Sequence, residues 1–483
     1  MALGVVGIVA GFLNAPKTIE DVEKLLADSH HNEASHSEKV SHDAHAAHAV
    51  EATHAEAKVV DSVKVEAVDS THAVAEAVDS SAVAVAETHS DNHDSHKKDE
   101  VAHSDDEHQK HLEHVLHQLQ NKPWSALYVA CIFFMLISVG VLAFYAIQYA
   151  AQAGWSPILF RVMESITGYL LPGSIIFFIL LVAASMHWGH NHIFVWMNPD
   201  VINPKHADYD KLIDLKSGYL NVPFFLGRAA VFLIVWNLYR YFSRKNSLAQ
   251  DAASDNSNYK KNFKLAAGFL VFFIVSESMM SWDWIMSVDP HWYSTLFGWY
   301  VFASFFVSGI TVIAMTTLYL KSKGYLEQVN TSHIHDLAKF MFGISIFWTY
   351  LWFSQFMLIW YSNIPEEVTY FVTRIEHYRL PFFGMLALNF IFPLLILINT
   401  DFKRLTWIVV MAGTVILFGH YIDFFNMIMP ATVGDQWFIG LPEIGALLFF
   451  LGLFIFVVFT TLTKAPLVAK GNPFIEESKH FHY

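Results

Sequence analysis

Nine apolar runs recur along the chain, at 124–149, 166–186, 221–242, 263–286, 296–320, 337–361, 381–398, 405–427 and 441–462. Each is close to the ~20 residues that a helix needs to cross a hydrocarbon core. The connections are short, apart from a polar one at 187–220. Such runs are too long for barrel strands, and in lipid only a helix satisfies its own backbone polar groups, so the pattern predicts an all-α, polytopic transmembrane protein. The opening "ALGVVGIVAGFL" is apolar for 12 residues, ~18 Å of helix against a ~30 Å core. It lacks the basic region that precedes a secretory signal. Residues 1–16 are therefore expected to be a partial or truncated first span, which brings the total to about ten.

Between this piece and the first complete run the pattern changes. Residues 17–122 are polar and repetitive ("VSHDAHAAHAVEATHAEA", "VEAVDSTHAVAEAVDS") and hold 16 of the 27 histidines. They also carry 23 Asp/Glu against 9 Lys/Arg, a balance of −14 that equals the net charge of the whole chain. Low complexity and acidic charge predict a tether rather than a folded domain. Two short helices are expected within it. "TIEDVEKLLADSHH" has Thr18 as N-cap and Asp21 in the capping-box position, and "DEHQKHLEHVLHQLQ" leads into the first complete run. The organisation is thus 1–16, the tether 17–122, a nine-span domain 123–463 and a tail 464–483.

Composition narrows the chemistry. Charged residues make up only 15% of the chain and hydrophobic ones 54%, as in a membrane protein. The acidic balance excludes a nucleic-acid partner. Cys131 is the only cysteine, so no disulfide framework, four-cysteine cluster or covalent haem attachment can be built. The tether histidines have no regular metal-ligand spacing, and no metal site is expected.

Placement of Lys and Arg sets the expected orientation. With residues 1–16 as span one, fifteen Lys/Arg fall on the face that holds both termini. Only Lys205, Lys211, Lys216, Arg374 and Arg379 fall in the opposite short loops. The termini are expected in the cytoplasm of a bacterial inner-membrane protein, and the tether in the periplasm.

In that frame every span that runs outward ends in a polar set. "SMHWGHNH" brings His187. "SESMMSWDWIMSVDPHWYSTLFGWY" brings Glu277, Trp282, Asp283 and Trp284. "WTYLWFSQFMLIWYSNIPEE" brings Tyr350, Ser354 and Gln355. "FGHYIDFFNM" places His420 and Asp423 at i, i+3 on one helix face, and Glu443 opens the last run. The inward ends show basic loops and no equivalent set of acids and histidines. Plain structural readings stand beside each residue. Span-end Trp and Tyr form interfacial belts, Arg228 lies at a depth to pair with Glu277 or Asp283, and a lone histidine is often packing. The sharper reading makes Glu277, Asp283, His420, Asp423, Tyr350 and Ser354 proton acceptors or relay groups, with Thr311, Thr316 and Thr317 extending the path inward. His187, Trp282, Trp284, Gln355 and Glu443 would wall a cavity for a quinol, whose oxidation needs an apolar slot and acceptors for two protons. A b-haem carrier with His187 and His420 as ligands, a secondary transporter and a non-catalytic scaffold are the competing classes.

"MHWGHNHIFVWMNPD", "YLNVPFFLGRAAVFLIVWNLY", "SWDWIMSVDPHWYSTLFGWYVFASFF", "WFSQFMLIWYSNIPEE" and "NFIFPLLIL" together resemble the ActF subunits of bacterial alternative complex III. That complex is a quinol:cytochrome c oxidoreductase, and the likeness covers about 122–463 plus "GFLNAPKTIEDVEKLL". The resemblance implies a polysulfide-reductase-like fold, with ten spans in two four-helix bundles flanked by peripheral helices. It implies menaquinol or ubiquinol as substrate, no covalently bound cofactor in this chain, and haems and iron–sulfur clusters in partner subunits. It further implies a paralogous ten-span quinol-binding subunit, a periplasmic iron–sulfur protein, multihaem cytochromes c, small membrane anchors, lipids and, in some assemblies, a haem–copper oxidase.

Overall fold

The computed structural model describes residues 1–25 and 93–482, with side chains from Gln109 onward in the second stretch. The low-complexity part of the tether, 26–92, lies outside the described residues. Two compact units are present, Lys17–Leu116 and a second comprising Met1–Pro16 with His117–Tyr483. In the first unit the expected capping box forms. Asp21 N–H donates to Thr18 Oγ at 3.3 Å and Thr18 N–H donates back to the Asp21 carboxylate at 3.2 Å, at the start of helix Ile19–Leu25.

The second unit is all helix among the described residues, with no strand. Its helices are α1 (Ala2–Asn14), α3 (His93–Ala150, entered from the first unit), α4 (Pro157–Ser185), α5 (Lys211–Lys216), α6 (Val222–Gln250), α7 (Ser257–Trp284), α8 (Phe297–Ser322), α9 (Thr331–Ser362), α10 (Pro365–Glu376), α11 (Arg379–Leu397), α12 (Thr406–Val433), α13 (Leu441–Leu462) and α14 (Ile475–Lys479), with Ile19–Leu25 counted as α2. Nine of these are long and apolar enough to cross a membrane, or up to ten if α1 and α2 make one broken span. The chain is a multi-pass membrane protein.

The spans arrange as two rings of four that share α3 and α8 as neighbours. In one, α3, α4, α6 and α7 close on themselves. Ser138 Oγ reaches Ile166 O on α4, Asn237 on α6 donates to Ser174 on α4, Trp236 on α6 donates to Ser276 on α7, and Tyr128 on α3 donates to Trp284 O on α7. In the other, α8, α9, α11 and α12 pack in turn. The α3 span is the most enclosed, with 94% of its apolar window buried. It meets α8 backbone to backbone: a Cβ on Gly309 would fall 2.9 Å from Val141 N, and one on Gly140 would fall 2.6 Å from Phe305 O. Lipid tails are as apolar as leucine, so helices gain by close van der Waals approach, and small residues allow it.

The same device docks the outlying pair α1 and α13. Gly4, Gly7 and Gly11 line one face of α1, and Cβ atoms on Gly7 and Gly445 would each fall 2.8 Å from the other's Cα. Gly4, Gly7 and Gly445 are bounded by backbone, which has no rotamer to give way, and Gly11 by the ring of Pro442.

Polar ends hold the connections in register. Asn221 caps α6 through Phe224 N–H, and α9 stops at Asn363, in the left-handed region at φ 49°. Pro365 then starts the amphipathic α10, with Glu366 and Glu367 in its first turn, where the helix dipole favours acids. The α12 span contains Pro430, which has no N–H for the carbonyl four residues back. Arg374 of α10 supplies that missing donor: its Nε bonds Asn426 O at 2.9 Å.

Replacing Gly445 with valine forces α1 off α13. The expected outcome is a loss of ~1–3 kcal/mol, seen as a lower melting temperature of the full chain in detergent. An unchanged melting curve would show that the contact contributes nothing.

Candidate functional site

Three of the buried polar sets in the helical unit bear on chemistry, and each follows from where the sequence lets a helix turn its polar face.

The first is on α12. His420 and Asp423 sit one turn apart, both at 0% exposure, with Nδ1 3.5 Å from Oδ2. Between them lies Ser304 of α8, whose Oγ is 2.9 Å from His420 Nδ1 and donates to Asp423 Oδ2 at 2.8 Å. Trp348 of α9 donates its indole N–H to the same carboxylate oxygen at 2.9 Å, and Tyr300 of α8 donates its hydroxyl to Oδ1. Three neutral donors thus meet one carboxylate, and bonds to a charged group are worth ~1.5–3 kcal/mol each. The tautomer follows. With the Ser304 proton given to Asp423, His420 Nδ1 must carry hydrogen and donate to Ser304, which leaves Nε2 of the neutral ring as a lone-pair acceptor. Among the described residues that atom is buried without a partner. By helix rise the cluster lies ~15 Å along α12 from Val433. Ser308 and Thr311 continue its α8 face at helical spacing, but their hydroxyls bond carbonyls of their own helix, at Ser304 and Val307.

Beside this cluster α11 is interrupted by a π-helical turn at Ala387–Ile391 that carries Asn389, fully buried with neither amide atom bonded. Asn389 abuts Gly419, where a Cβ would fall 2.1 Å from its Oδ1. Extra-residue turns of this kind are frequent at functional sites.

The second place is the end of α7. Asp283, at 0% exposure, is gripped by Arg228 of α6 through Nε at 2.7 Å and a second nitrogen at 2.9 Å. Arg228 packs against the rings of Tyr219 and Phe224, at 3.9 and 4.2 Å. Burial and the Asp283 carboxylate push the Tyr219 phenol well up, so it remains a hydrogen-bond donor. Glu277, one and a half turns back along α7, is buried, has no basic partner among the described residues and is held by Ser278 and Ser281, at 3.2 and 3.3 Å. No hydrogen bond links it to Asp423.

Outside this ion pair lies a cavity of about 380 Å³ with an aromatic wall of Tyr219, Trp282, Trp292 and Tyr293 and polar groups from Lys216, Ser287 and Asp289. Lys216 donates to Pro290 O at 2.5 Å. Burial holds its ammonium below the usual lysine range, against the pull of Asp289 and Asp210.

Of the residues expected to wall a quinol cavity, Trp282 lines this one. Trp284 does not. It is fully buried among Phe177, Phe232 and Trp236, because the helical step from 282 to 284 turns it into the ring of four. Glu443 caps α13 through Gly440 N–H at 2.8 Å. Gln355 is buried on α9, away from the cavity wall. His187 stands in a turn at φ 49°, stacked on His192 at 5.2 Å. The pair proposed as haem ligands, His187 and His420, therefore occupies separate polar sets. Tyr350 is 64% exposed on the outer surface of α9 and Ser354 is half-buried. It is Trp348, on the opposite side of the helix, that reaches Asp423.

The third place is at the opposite end of the bundle, where the sequence suggested basic loops alone. Glu164 of α4 is 2% exposed and is held by Arg161 at 2.6 Å, Tyr145 at 2.9 Å and Ser247 at 2.5 Å, while Arg161 also binds Asp251 at 2.5 Å. The hydropathy run begins at 166, but the helix starts back at Pro157, and this draws Arg161 and Glu164 inside.

Among the described residues no group of three or more His, Cys, Asp or Glu could hold a metal ion. Comparison with known protein families and with curated proteins found no match.

Two outcomes follow. Asp283→Asn leaves Arg228 buried and uncompensated, at a cost of about 3–5 kcal/mol, whereas Arg228→Met with Asp283→Leu recovers most of it. Thermal denaturation of the two variants checks this, and equal melting of Asp283→Asn and the unaltered chain would contradict it. His192, in the connection after α4, is depressed from 6.5 to about 4 by burial and then by His187, His117 and His190. Its folded pKa is the lower one, so between about 4 and 6.5 the unfolded chain binds more protons. Stability present above 6.5 is lost as pH falls through that window. Hydrogen exchange of 186–198, corrected for intrinsic rate, should rise between pH 7 and 5 by up to ~10-fold per unit, less screening of a half-exposed ring. His192→Asn should flatten the dependence.

Proposed function

We propose that this chain is the membrane-embedded subunit of a quinol:cytochrome c oxidoreductase of the alternative complex III type, supporting quinol oxidation near the outer face of a bacterial inner membrane. The sequence motifs that resemble ActF subunits support the reading, as does the chemistry of the buried groups. In this reading the termini are cytoplasmic, the tether is periplasmic, and electrons leave through partner subunits that carry haems and iron–sulfur clusters.

The observation that carries the proposal is the Asp423–Ser304–His420 chain with its unpartnered Nε2. Oxidising a quinol releases two protons, and a fully buried acceptor with one free lone pair can take one. Ser304 can pass it on by giving its own hydrogen to Asp423 as it accepts from Nδ1, so that the proton charge crosses ~5 Å with no heavy-atom movement. Tyr300 and Trp348 hold the carboxylate still in either state. An aromatic headgroup fits the cavity at Trp282, where Lys216 offers a donor and Asp289 and the Ser287 oxygen, whose hydrogen goes to Asp283 O, offer acceptors. Asp283 is then a structural anchor for that wall through Arg228 and Tyr219, not an acceptor. Glu277, without a cation, remains a titratable group for the path.

The test uses the assembled complex. Asp423→Asn should slow quinol-driven cytochrome c reduction by at least ~10-fold, at the low end of what a positioned acid or base contributes, while Tyr350→Phe should leave it unchanged. Reduced proton stoichiometry at normal turnover would assign the cluster to a relay rather than to quinol deprotonation. Normal turnover and stoichiometry in Asp423→Asn and Glu277→Gln, with assembly intact, would leave the chain a scaffold for its partners.

A further inference from the structure

Most arginines of the helical core have an evident mate. Arg161 takes Glu164 and Asp251, Arg228 takes Asp283, and Arg374 takes the carbonyls that Pro430 leaves free. Two do not. Arg244 of α6 donates only to main-chain carbonyls, Glu164 O and Thr461 O, both at 3.2 Å. Arg240, one turn earlier, has its Nε buried without a partner. Neither forms an ion pair among the described residues, and both carboxylate oxygens of nearby Glu164 are occupied by Arg161, Tyr145 and Ser247. Arg161, Arg240 and Arg244 thus stand against Glu164 and Asp251, which leaves one positive charge in excess at the level where α13 ends.

Directly along the same helix face lies a groove of about 320 Å³ between α4 and α6, lined by Leu171, Ile175, Phe178, Leu233, Ile234 and Asn237 among others. The α6 positions on it include 230, 233, 234 and 237, and the same helical stripe continues to 240 and 244. On α4 the stripe 178, 175, 171 runs back towards 168 and 164, the residues that meet Thr461 and Arg244. Asn237 marks the junction of apolar and polar parts. Its amide nitrogen is bonded to Ser174 Oγ and Leu233 O, and its Oδ1 is buried without a partner. Ile175, Ile179 and Ile234 are each more than half exposed, so the groove opens to the bilayer.

We propose that this groove binds an anionic phospholipid, its phosphate on Arg240 and Arg244 and an acyl chain along α4 and α6. A free phosphate would not use the groove, and a neutral lipid or quinone would leave the excess positive charge uncompensated. Basic pockets between spans at the positive face suit anionic headgroups for this reason. The site is independent of the quinol reading, being at the opposite end of the bundle from the cavity at Trp282.

The test is native mass spectrometry of the full chain in detergent, titrated with phosphatidylglycerol or with phosphatidylcholine. Phosphatidylglycerol should be retained selectively, and Arg240→Gln with Arg244→Gln should weaken its binding roughly 10-fold or more. Lys260→Gln with Lys261→Gln, the same charge change at exposed positions, should not. Ile175→Trp, which fills the groove and keeps both charges, should also lower retention, so a misfolded arginine variant does not decide the matter. Equal retention of the two lipids by the unaltered chain, or unchanged phosphatidylglycerol binding in both groove variants, would overturn the proposal.

Discussion

A carboxylate enclosed by membrane-spanning helices has to find its donors within the bundle, and that requirement organises the polar interior of this protein. Moving an ion out of water costs several kcal/mol even after relaxation. The chain meets the cost in different ways. Asp283 has a bidentate guanidinium, itself packed against two aromatic rings. Glu164 shares an arginine with Asp251 and adds a phenol and a serine. Asp423 has no arginine or lysine, and is met by a phenol, a serine and an indole with an imidazole beside them. The first two arrangements fix charge in place. The third joins an acid and a ring through one serine with no fixed cation among the described residues, which is why the functional proposal rests there.

The same accounting extends to the backbone. Pro430 leaves backbone carbonyls of α12 without a donor, and α10 returns Arg374 to cap them while its Tyr370 stacks on Trp292 at 4.0 Å. One amphipathic helix thereby ties α12 to the wall of the cavity at Trp282. The polar set on α12 and the cavity on α7 are separate sites, but they are held in register by elements that neither contains.

Much of the architecture was legible in the sequence. Nine spans, their approximate limits and the short capped helix after residue 17 follow from apolar run length and from the Thr18–Asp21 spacing, because both reflect local chemistry. Partnership was legible only in part. A basic residue opposite Glu277 and Asp283 was evident from depth, yet which acid it would take depended on helix rotation. The choice of Asp283 leaves Glu277 with serines. Tyr350 and Trp348 are two residues apart and face opposite ways, so reading polarity alone selected the one on the surface. The buried Glu164 network escaped notice because hydropathy places the start of α4 too late.

What the sequence by itself determined is the list of spans, their alternating direction and the presence of acids and histidines among apolar residues, since each is a property of composition along one helix. What only the tertiary structure decided is which of those groups share a hydrogen, which are locked by a cation and which are left open. Those outcomes depend on the rotation of each helix about its axis, and that is set by close backbone contacts such as Gly140 with α8 and Gly445 with α1, made between residues far apart in the chain.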